Sequence, residues 1–296
     1  PSKGEVMHIR SRRLLVVSVL VPLLVATGSP AASAGSGSSS RSDRFKHSLR
    51  IDNRLFSLQP GTQFVFDGTV TDDEGRHPHR IVFTVTDMVK KVDGVWTRVV
   101  WDQDVDDGEL AEAELAFFAQ DRRKNVLTMG EYPEEYENGR FVGAPSTWLS
   151  GQARARAGIL VPGHPRVGQR FVQGRAPAVD FFDVGVVKSR HTRTCAPVGC
   201  FRHATLIEET APLAPEDGKQ LKYYVRGVGL VRIGAVGGDA REVMTLTRVR
   251  HLGPVGMARA RAAALKLERR AYRVSAPYRH TPPMRRCHDD ECGDDD

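Results

Sequence analysis

Two runs of β-branched and aromatic residues flank a turn signal in this 296-residue chain: Arg80-Ile-Val-Phe-Thr-Val-Thr86, Asp93-Gly94 and Val95-Trp-Thr-Arg-Val-Val-Trp101. Runs of this composition favour β-strands, and an Asp-Gly pair between them favours a tight hairpin. Because the connection is too short for a crossover helix, the two strands are predicted to be antiparallel.

The same pattern continues in both directions. Asp107-Gly108 and Asn138-Gly139 mark further turns. Later runs predicted as strands are Val184–Thr194, Phe201–Thr210, Lys219–Val225, Gly229–Ile233 and Glu242–Val249. The sequence therefore predicts a mainly β protein, an antiparallel curved sheet or open barrel.

Four landmarks recur at nearly one spacing, which indicates an internal duplication. The matches are Phe64 with Phe171, Gly94–Val100 with Gly199–Thr205, Phe117-Phe118 with Tyr223-Tyr224, and Met129-Gly130 with Ile233-Gly234. We predict a β domain over residues 51–250, built from two similar halves at about 52–145 and 158–250. A short helix over Ser146–Ala157 is expected to link them.

The N-terminal segment is predicted to direct secretion. Residues 7–34 have a basic stretch, an apolar run over Leu14–Ala26 and the small residues Ala32-Ser33-Ala34, a pattern typical of a signal peptide. The apolar run is short for a bilayer span, so no transmembrane segment is expected after cleavage. The Ser- and Gly-rich residues 35–50 are predicted to be a flexible linker. We expect a secreted protein or one at the exterior of the cell envelope.

A basic amphipathic helix is predicted over residues 255–274, because Ala and Leu dominate this segment. Met257, Ala264, Leu265 and Tyr272 are expected to share its apolar face. Two roles stay open for it: packing on the sheet, or binding an anionic surface or envelope polymer. Residues 275–296 are predicted to be a disordered tail rich in Cys, His and Asp.

The formal net charge of +7 comes mainly from the terminal segments, and residues 51–250 are close to neutral. A nucleic-acid-binding domain needs a basic face on its folded part. No nucleic-acid partner is therefore predicted, and no cofactor is expected.

The four cysteines form two local pairs, Cys195 with Cys200 and Cys287 with Cys292. In a secreted protein, such pairs favour disulfides. The alternative for the second pair is a zinc or copper site, which would use Cys287, His288, Asp289, Asp290 and Cys292.

Two acidic clusters are candidate sites. Asp102, Asp104 and Asp106 alternate as in a calcium loop, but Asp107 occupies the position that requires glycine. We interpret them as a polar strand end. The second cluster combines carboxylates with aromatic rings and could bind a cation or a sugar. Its residues are Glu131, Tyr132, Glu135, Tyr136 and Glu137, with Trp148.

The chain also resembles a family of secreted proteins found in actinobacteria and other bacteria, which has no established reaction or ligand. The resemblance covers roughly residues 52–250. It rests on Asn53–Thr62, Phe118–Asp121, Asn125-Val126, Gly130-Glu131, Glu135–Gly139, Trp148, Gly158–Pro162 and Gly227–Val231. It implies secretion and a β-rich domain and transfers no catalytic residue. The Cys195–Cys200 loop and the basic helix with its Cys/His end are additions to the family pattern.

Three functions are compatible with these patterns. The leading hypothesis is a non-enzymatic binding or envelope-associated module, with a small amphiphilic ligand inside the curved sheet, because no His, Asp and Ser residues converge as in a catalytic site. The first alternative is a secreted hydrolase using carboxylates of residues 131–137 with Asp121. The second is a structural or interaction protein.

Overall fold

The computed structural model describes residues 41–287. The predicted signal peptide, residues 7–34, lies outside these residues, as do residues 35–40 of the predicted linker. Residues 288–296 of the predicted tail also lie outside them, and so do His288, Asp289, Asp290 and Cys292 of the predicted metal site.

Strands make up most of the described chain. Those of the first half are β1 (Asp52–Asn53), β2 (Phe56–Ser57), β3 (Thr62–Asp72), β4 (Gly75–Val92), β5 (Val95–Asp106), β6 (Glu109–Gln120), β7 (Val126–Glu137), β8 (Arg140–Gly143) and β9 (Trp148–Leu149). They are followed by β10 (Arg156–Val161), β11 (Arg170–Ala176), β12 (Phe181–Ala196), β13 (Gly199–Thr210), β14 (Lys219–Val225), β15 (Gly229–Val236), β16 (Arg241–His251) and β17 (Arg285–Arg286). The helices are α1 (Arg41–Arg44), α2 (Pro254–Val274) and α3 (Ala276–Arg279), with 3₁₀ turns at Pro177–Val179 and Pro215–Asp217.

Twelve strands form a closed antiparallel barrel. They run from β10 to β16 and then from β3 to β7, and β7 pairs with β10 through Thr128 and Gly158. This pairing closes the sheet and leaves the barrel itself without a free edge. The predicted mainly β, antiparallel fold class is confirmed, and the curvature expected from the sequence continues to full closure.

The predicted hairpin between β4 and β5 is confirmed. Val92 pairs with Val95, and the two residues between them, Asp93 and Gly94, have φ of +50° and +77°. A type I′ turn requires positive φ at both central positions, which glycine and aspartate tolerate better than other residues. The Asp-Gly pair therefore sets the register of the strands that the opening sequence runs form.

The landmarks of the proposed duplication lie on strands in corresponding order. Phe64 is on β3 and Phe171 on β11, and the aromatic pairs are on β6 and β14. A common origin of the two halves stays a prediction.

The predicted linking helix over Ser146–Ala157 is not formed. Trp148 and Leu149 instead form β9, which pairs with Glu131 and Gly130 of β7. Pairing two consecutive residues with an existing strand holds the backbone extended, and Gly151 and Ala153 beyond them have positive φ. These conformations end the strand in turns and leave no room for a helix.

Residues 41–50 also differ from the predicted flexible linker. Ser48 is buried, its hydroxyl donates to the Trp96 carbonyl at 2.7 Å, and its own carbonyl accepts from the Gln120 amide at 2.8 Å. This part of the linker is therefore attached to the barrel by hydrogen bonds that its Ser-rich composition did not indicate.

The predicted basic helix is confirmed as α2, and it packs on the outside of the barrel. Its buried residues are Ala260, Ala264, Leu267, Glu268 and Ala271. Of the four residues expected on the apolar face, Ala264 lies at its centre, whereas Leu265 and Tyr272 are only partly buried. The buried face of α2 is rotated relative to the predicted one, because Leu267 and Ala271 pack in one apolar cluster with Phe117 and Leu115 of β6.

The tail is ordered as far as residue 287, contrary to the predicted disorder of residues 275–296. Tyr278 of α3 is fully buried, and Met284 and Cys287 are nearly so. β17 pairs with β4, where Arg286 lies opposite Met88. The physical reason is the large apolar surface of Tyr278, which fills a gap between α2 and the barrel wall.

The cysteine pairing agrees with the prediction as far as the structure describes it. Cys195 and Cys200 form a disulfide at the end of the β12–β13 hairpin. Cys287 is also disulfide-bonded, and its predicted partner Cys292 lies outside the described residues.

Candidate functional site

One end of the barrel interior is filled by the chain itself. Ile51 and Leu58 lie in an apolar cluster with Val85, Val100 and Phe118 of the barrel wall. The segment of residues 51–58 therefore plugs this end and completes a packed core there.

The other end of the interior contains a cavity of about 300 Å³. We call it the acidic chamber, because its polar wall consists mainly of carboxylates: Asp102, Asp104, Glu112, Glu114, Glu131, Asp183, Glu209, Asp217 and Glu242. The rest of the lining is largely apolar and includes Phe56, Phe66, Phe83, Phe118, Phe181, Leu230 and Ile233. The chamber thus combines carboxylates with aromatic and aliphatic side chains in one lining.

The strand register explains why so many carboxylates point inward. Side chains alternate between the two faces of a strand, so Asp102 and Asp104 share the inner face with Val100. Across the β5–β6 pair, Asp102 lies opposite Glu114 and Asp104 opposite Glu112. Directly opposed residues project to the same face, so two rows of carboxylates line the chamber.

Two of the carboxylates have polar partners. Glu209 lies 2.6 Å from the Lys222 ammonium and accepts a hydrogen bond from Gln173 Nε2 at 2.6 Å. Burial opposes the charge of Lys222, but Glu209 outweighs burial and raises the pKa of the lysine. Glu242 accepts a hydrogen bond from Gln220 Nε2 at 2.8 Å.

A buried histidine adds a positive charge behind Glu242. The His79 side chain is inaccessible to solvent, its Nδ1 pairs with Asp106, and its Nε2 lies 3.3 Å from Glu242 without hydrogen-bond alignment. Burial lowers the pKa of His79, but the two carboxylates outweigh it and raise the pKa to about 10. His79 is therefore protonated at neutral pH.

Five carboxylates of the chamber have no hydrogen-bond or salt-bridge partner among residues 41–287: Asp104, Glu112, Glu114, Asp183 and Asp217. Burial, together with the repulsion of neighbouring carboxylates, raises the pKa of Glu112 to about 8 and that of Asp183 to about 7. The pKa values of Asp104 and Glu114 are raised well above the usual range for the same reasons. The empty chamber therefore retains protons that solvent-exposed carboxylic acids would lose.

Two buried polar atoms at the chamber lack a hydrogen-bond partner, Asp217 Oδ2 and Gln173 Oε1. Gln173 is 4% exposed and lines the chamber, and its Oε1 accepts no hydrogen bond, whereas its Nε2 donates to Glu209. A buried amide oxygen without a donor costs free energy, which a bound donor group would recover.

The structure separates the six residues of the predicted acidic–aromatic cluster. Glu131 lines the chamber, and Trp148 donates its indole hydrogen to Glu131 at 3.3 Å and stacks on Phe181. Burial raises the pKa of Glu131 to about 7, against the hydrogen bond from Trp148. Glu135 lies opposite Glu112 in the register.

The other members of that cluster lie outside the chamber. Tyr132 and Tyr136 donate to Glu134, which Arg270 of α2 also contacts, so these groups attach the helix to the barrel. Glu137 lies opposite Arg140 at the end of the β7–β8 hairpin. Asp121, named in the hydrolase hypothesis, accepts hydrogen bonds from the backbone of its own turn and from Asn125.

The interpretation of Asp102 and Asp104 as no more than a polar strand end is corrected, because both side chains line the chamber. The signal that could have identified them is the alternation of acids over Asp102, Asp104, Glu112 and Glu114, at positions that share a face with Val100 and Phe118. Within residues 41–287, no group of three His, Cys, Asp or Glu side chains could hold a metal ion.

Comparison with known proteins gives one distant structural similarity. No family model and no curated protein matches the chain. A crystal structure of a Bacteroides fragilis protein, provisionally described as exported and as having a YmcC-like fold, is 14% identical. The alignment covers 67% of this chain and 99% of that chain with a TM-score of 0.35, a level of similarity that carries no argument about function. In the part of the chain that the structure describes, no helix has the length and apolarity needed to cross a membrane.

Proposed function

We propose that this protein is a secreted, non-enzymatic binding protein whose barrel takes a small amphiphilic cation into the acidic chamber. The observation that carries the proposal is that one cavity is lined both by nine carboxylates, five of them without a hydrogen-bond or salt-bridge partner, and by aromatic and aliphatic side chains. Secretion is supported by the signal-peptide pattern of residues 7–34 and by the Cys195–Cys200 disulfide.

The charge of the chamber favours a cation over an anion or a neutral molecule. An ammonium group beside Asp104 and Glu112 would replace the protons that these carboxylates retain when the chamber is empty. Because these carboxylates are buried in the barrel interior, this attraction is stronger than it would be at the protein surface. The N–H groups of the same ligand could also donate to Gln173 Oε1.

The apolar wall favours a ligand with a hydrocarbon or aromatic part. Phe66, Phe83 and Phe118 present ring surface to the chamber. Burial of apolar ligand surface against them contributes roughly 25 cal/mol per Å² before the costs of association. The volume of about 300 Å³ lies at the lower end of the usual range of ligand cavities, so a small molecule fits better than a lipid with two chains.

The test compares three probes that share one hydrocarbon chain: octylamine, octanol and octanoate. Isothermal titration calorimetry on the chain from residue 35 onward at pH 8 should show octylamine binding at least tenfold more tightly than octanol, with octanoate weakest. Equal affinity for the amine and the carboxylate would contradict the proposal.

Matched variants locate the binding. Asp104→Asn/Glu112→Gln should abolish the preference for the amine, because it removes two unpaired chamber charges without changing volume. The control Asp73→Asn/Glu109→Gln removes two exposed acids outside the chamber lining and should retain the preference. The same loss in both variants would mean that the net charge of the protein, and not the chamber, selects the amine.

A further inference from the structure

The β12–β13 hairpin carries many exposed cationic side chains, although residues 51–250 as a whole are close to neutral. Its exposed basic residues are Lys188, Arg190, His191, Arg193, Arg202 and His203. No acidic residue occurs between positions 184 and 207. We call this surface the basic hairpin.

Irregular strand pairing leaves these side chains exposed close together along the hairpin. The register shifts between Ser189 and Thr192 and again between Thr192 and Thr194, so extra residues are inserted first in β12 and then in β13. At a bulge, two successive residues are not forced onto opposite faces, as they are in a regular strand. Consequently Arg190-His191 and Arg202-His203 are both exposed as adjacent pairs.

The inner face and the end of the hairpin hold this surface in place. Ala204 is buried, and Val198 and Phe201 pack against an apolar cluster that contains Met244 and Leu246. The Cys195–Cys200 disulfide closes the end, and His191 Nδ1 lies 3.3 Å from His203 Nδ1 across the two strands. The cations are therefore displayed on a preorganised element, which reduces the entropy lost when a partner binds.

The charges on the basic hairpin are available to a partner. The structure gives Arg190, Arg193 and Arg202 no salt bridge with any described residue, whereas Lys188 lies 3.5 Å from Glu208. None of the exposed large apolar side chains of the described chain lies between residues 188 and 203. A surface that is cationic without apolar anchors fits a polyanion better than the interior of a membrane.

We infer that the basic hairpin binds an extended phosphate-bearing polyanion. Arginine guanidinium groups form paired hydrogen bonds with phosphate oxygens, and three unpaired arginines lie within one hairpin. At about 3.3 Å per residue, the cations from Lys188 to Arg193 extend over roughly 16 Å of strand, which is more than one phosphate group can cover. The site is thus suited to several phosphates in a chain, and it is independent of the ligand proposed for the acidic chamber.

The probe for this inference is long-chain inorganic polyphosphate with a fluorescent end label. Anisotropy titrations of the chain from residue 35 onward at several salt concentrations should show binding that weakens steeply with salt, as expected when counterions are released. Arg190→Gln/Arg193→Gln/Arg202→Gln should reduce the affinity at least tenfold and flatten the salt dependence. The control Arg140→Gln/Arg156→Gln/Arg166→Gln removes three exposed arginines elsewhere and should bind nearly as the wild type does.

Several results would overturn the inference. Equal losses in the two triple variants would show attraction to net charge alone, and full competition by monomeric phosphate at equal phosphate concentration would show a site for a single anion. If polyglutamate bound as tightly as polyphosphate, the hairpin would have no preference for phosphate. If duplex DNA bound more tightly than polyphosphate, the partner would be a nucleic acid. The three single Arg→Gln variants, each expected to lose a few-fold in affinity, provide the test if the triple variant does not fold.

Discussion

Asp104 on β5 lies directly opposite Glu112 on β6, and both side chains line the acidic chamber. Opposed like charges destabilise a strand pair, and burial adds a cost for each ionised carboxylate. Because neither group has a described salt-bridge partner, this cost is relieved by a proton or by a bound cation.

The first prediction concerns stability as a function of pH. The folded pKa of Glu112 is about 8 and that of Asp102 about 7, against 4.5 and 3.8 for the free side chains. Below about pH 3 both states hold these protons, and near pH 4 the unfolded chain has lost only part of them, so the raised pKa values cost little there. As the pH rises to 8, the unfolded chain releases protons that the folded chain retains, and these groups progressively lower the free energy of unfolding.

Thermal melts between pH 4 and 8 test this effect. Asp104→Asn/Glu112→Gln should melt several degrees above the wild type at pH 8, since about 1 kcal/mol corresponds to roughly 2–4 °C for a domain of this size. The two proteins should melt at nearly the same temperature at pH 4. A constant difference across this range would show that the two carboxylates do not titrate as proposed.

The second prediction concerns protons released on ligand binding. A cation in the chamber favours ionised carboxylates, so octylamine should displace protons from groups with pKa values of about 7 and 8, such as Asp183 and Glu112. Its affinity should therefore rise between pH 6 and 8. Calorimetry at pH 7 in phosphate and in Tris should give different apparent enthalpies, because the two buffers differ in ionisation enthalpy. Identical enthalpies would show that no protons leave the chamber.

The third prediction concerns a buried ion pair that attaches α2 to the barrel. Lys90 of β4 is fully buried, and its ammonium group donates to Glu268 at 3.2 Å and to the Pro282 carbonyl at 2.7 Å. It also lies 4.1 Å from the centre of the Tyr278 ring. Burial lowers the pKa of Lys90 to about 8, with Glu268 opposing this shift.

Glu268→Leu should leave the buried ammonium without its carboxylate and reduce the free energy of unfolding by about 3–5 kcal/mol. The double variant Lys90→Met/Glu268→Leu should recover much of this loss, because neither charge then remains buried. Urea unfolding of the two single variants and the double variant forms the required cycle. Additive losses would show that the two side chains do not interact.

The fourth prediction concerns the attachment of the C-terminal segment through Asp87. Arg261 of α2 donates to this carboxylate at 2.6 and 3.1 Å, and Arg286 of β17 donates at 2.9 Å. Burial raises the pKa of Asp87, but the two arginines outweigh burial and lower it. This stabilisation is present above the unfolded pKa of 3.8 and is lost as the pH falls through the lower folded pKa.

Asp87→Asn should reduce the free energy of unfolding at pH 7 by about 1–3 kcal/mol and should have a smaller effect near pH 3. Hydrogen exchange followed by mass spectrometry should show that residues 276–287 exchange faster in Asp87→Asn than in the wild type. The exchange of the barrel strands should change less. Unchanged exchange in that segment would mean that the two arginines do not hold it in place.

Much of the barrel followed from local sequence, because strand propensity and turn chemistry act between neighbouring residues. Asp93-Gly94 and Asp107-Gly108 form hairpin turns because both residues of each pair adopt the positive φ that such turns require. The predicted linking helix does not form, because Trp148 pairs with Glu131 of β7. This tertiary pairing overrides the local helix propensity and cannot be read from residues 146–157 alone. The fold of residues 275–287 was missed for a similar reason, since Tyr278 gains its burial from α2 and the barrel.

The candidate site could be predicted only in part. Glu131 was identified from composition, but the alternation of Asp102 with Asp104 is equally compatible with a polar strand end outside any site. Whether a strand face points to solvent or into a barrel depends on how the sheet closes, and the β7–β10 pairing that closes it joins residues about 30 positions apart. The amino-acid sequence by itself determined the strands, the hairpins and the basic helix, which depend on short-range conformational preferences. The tertiary structure alone decided that two rows of carboxylates meet inside one chamber, because long-range pairing brings them together against their mutual repulsion.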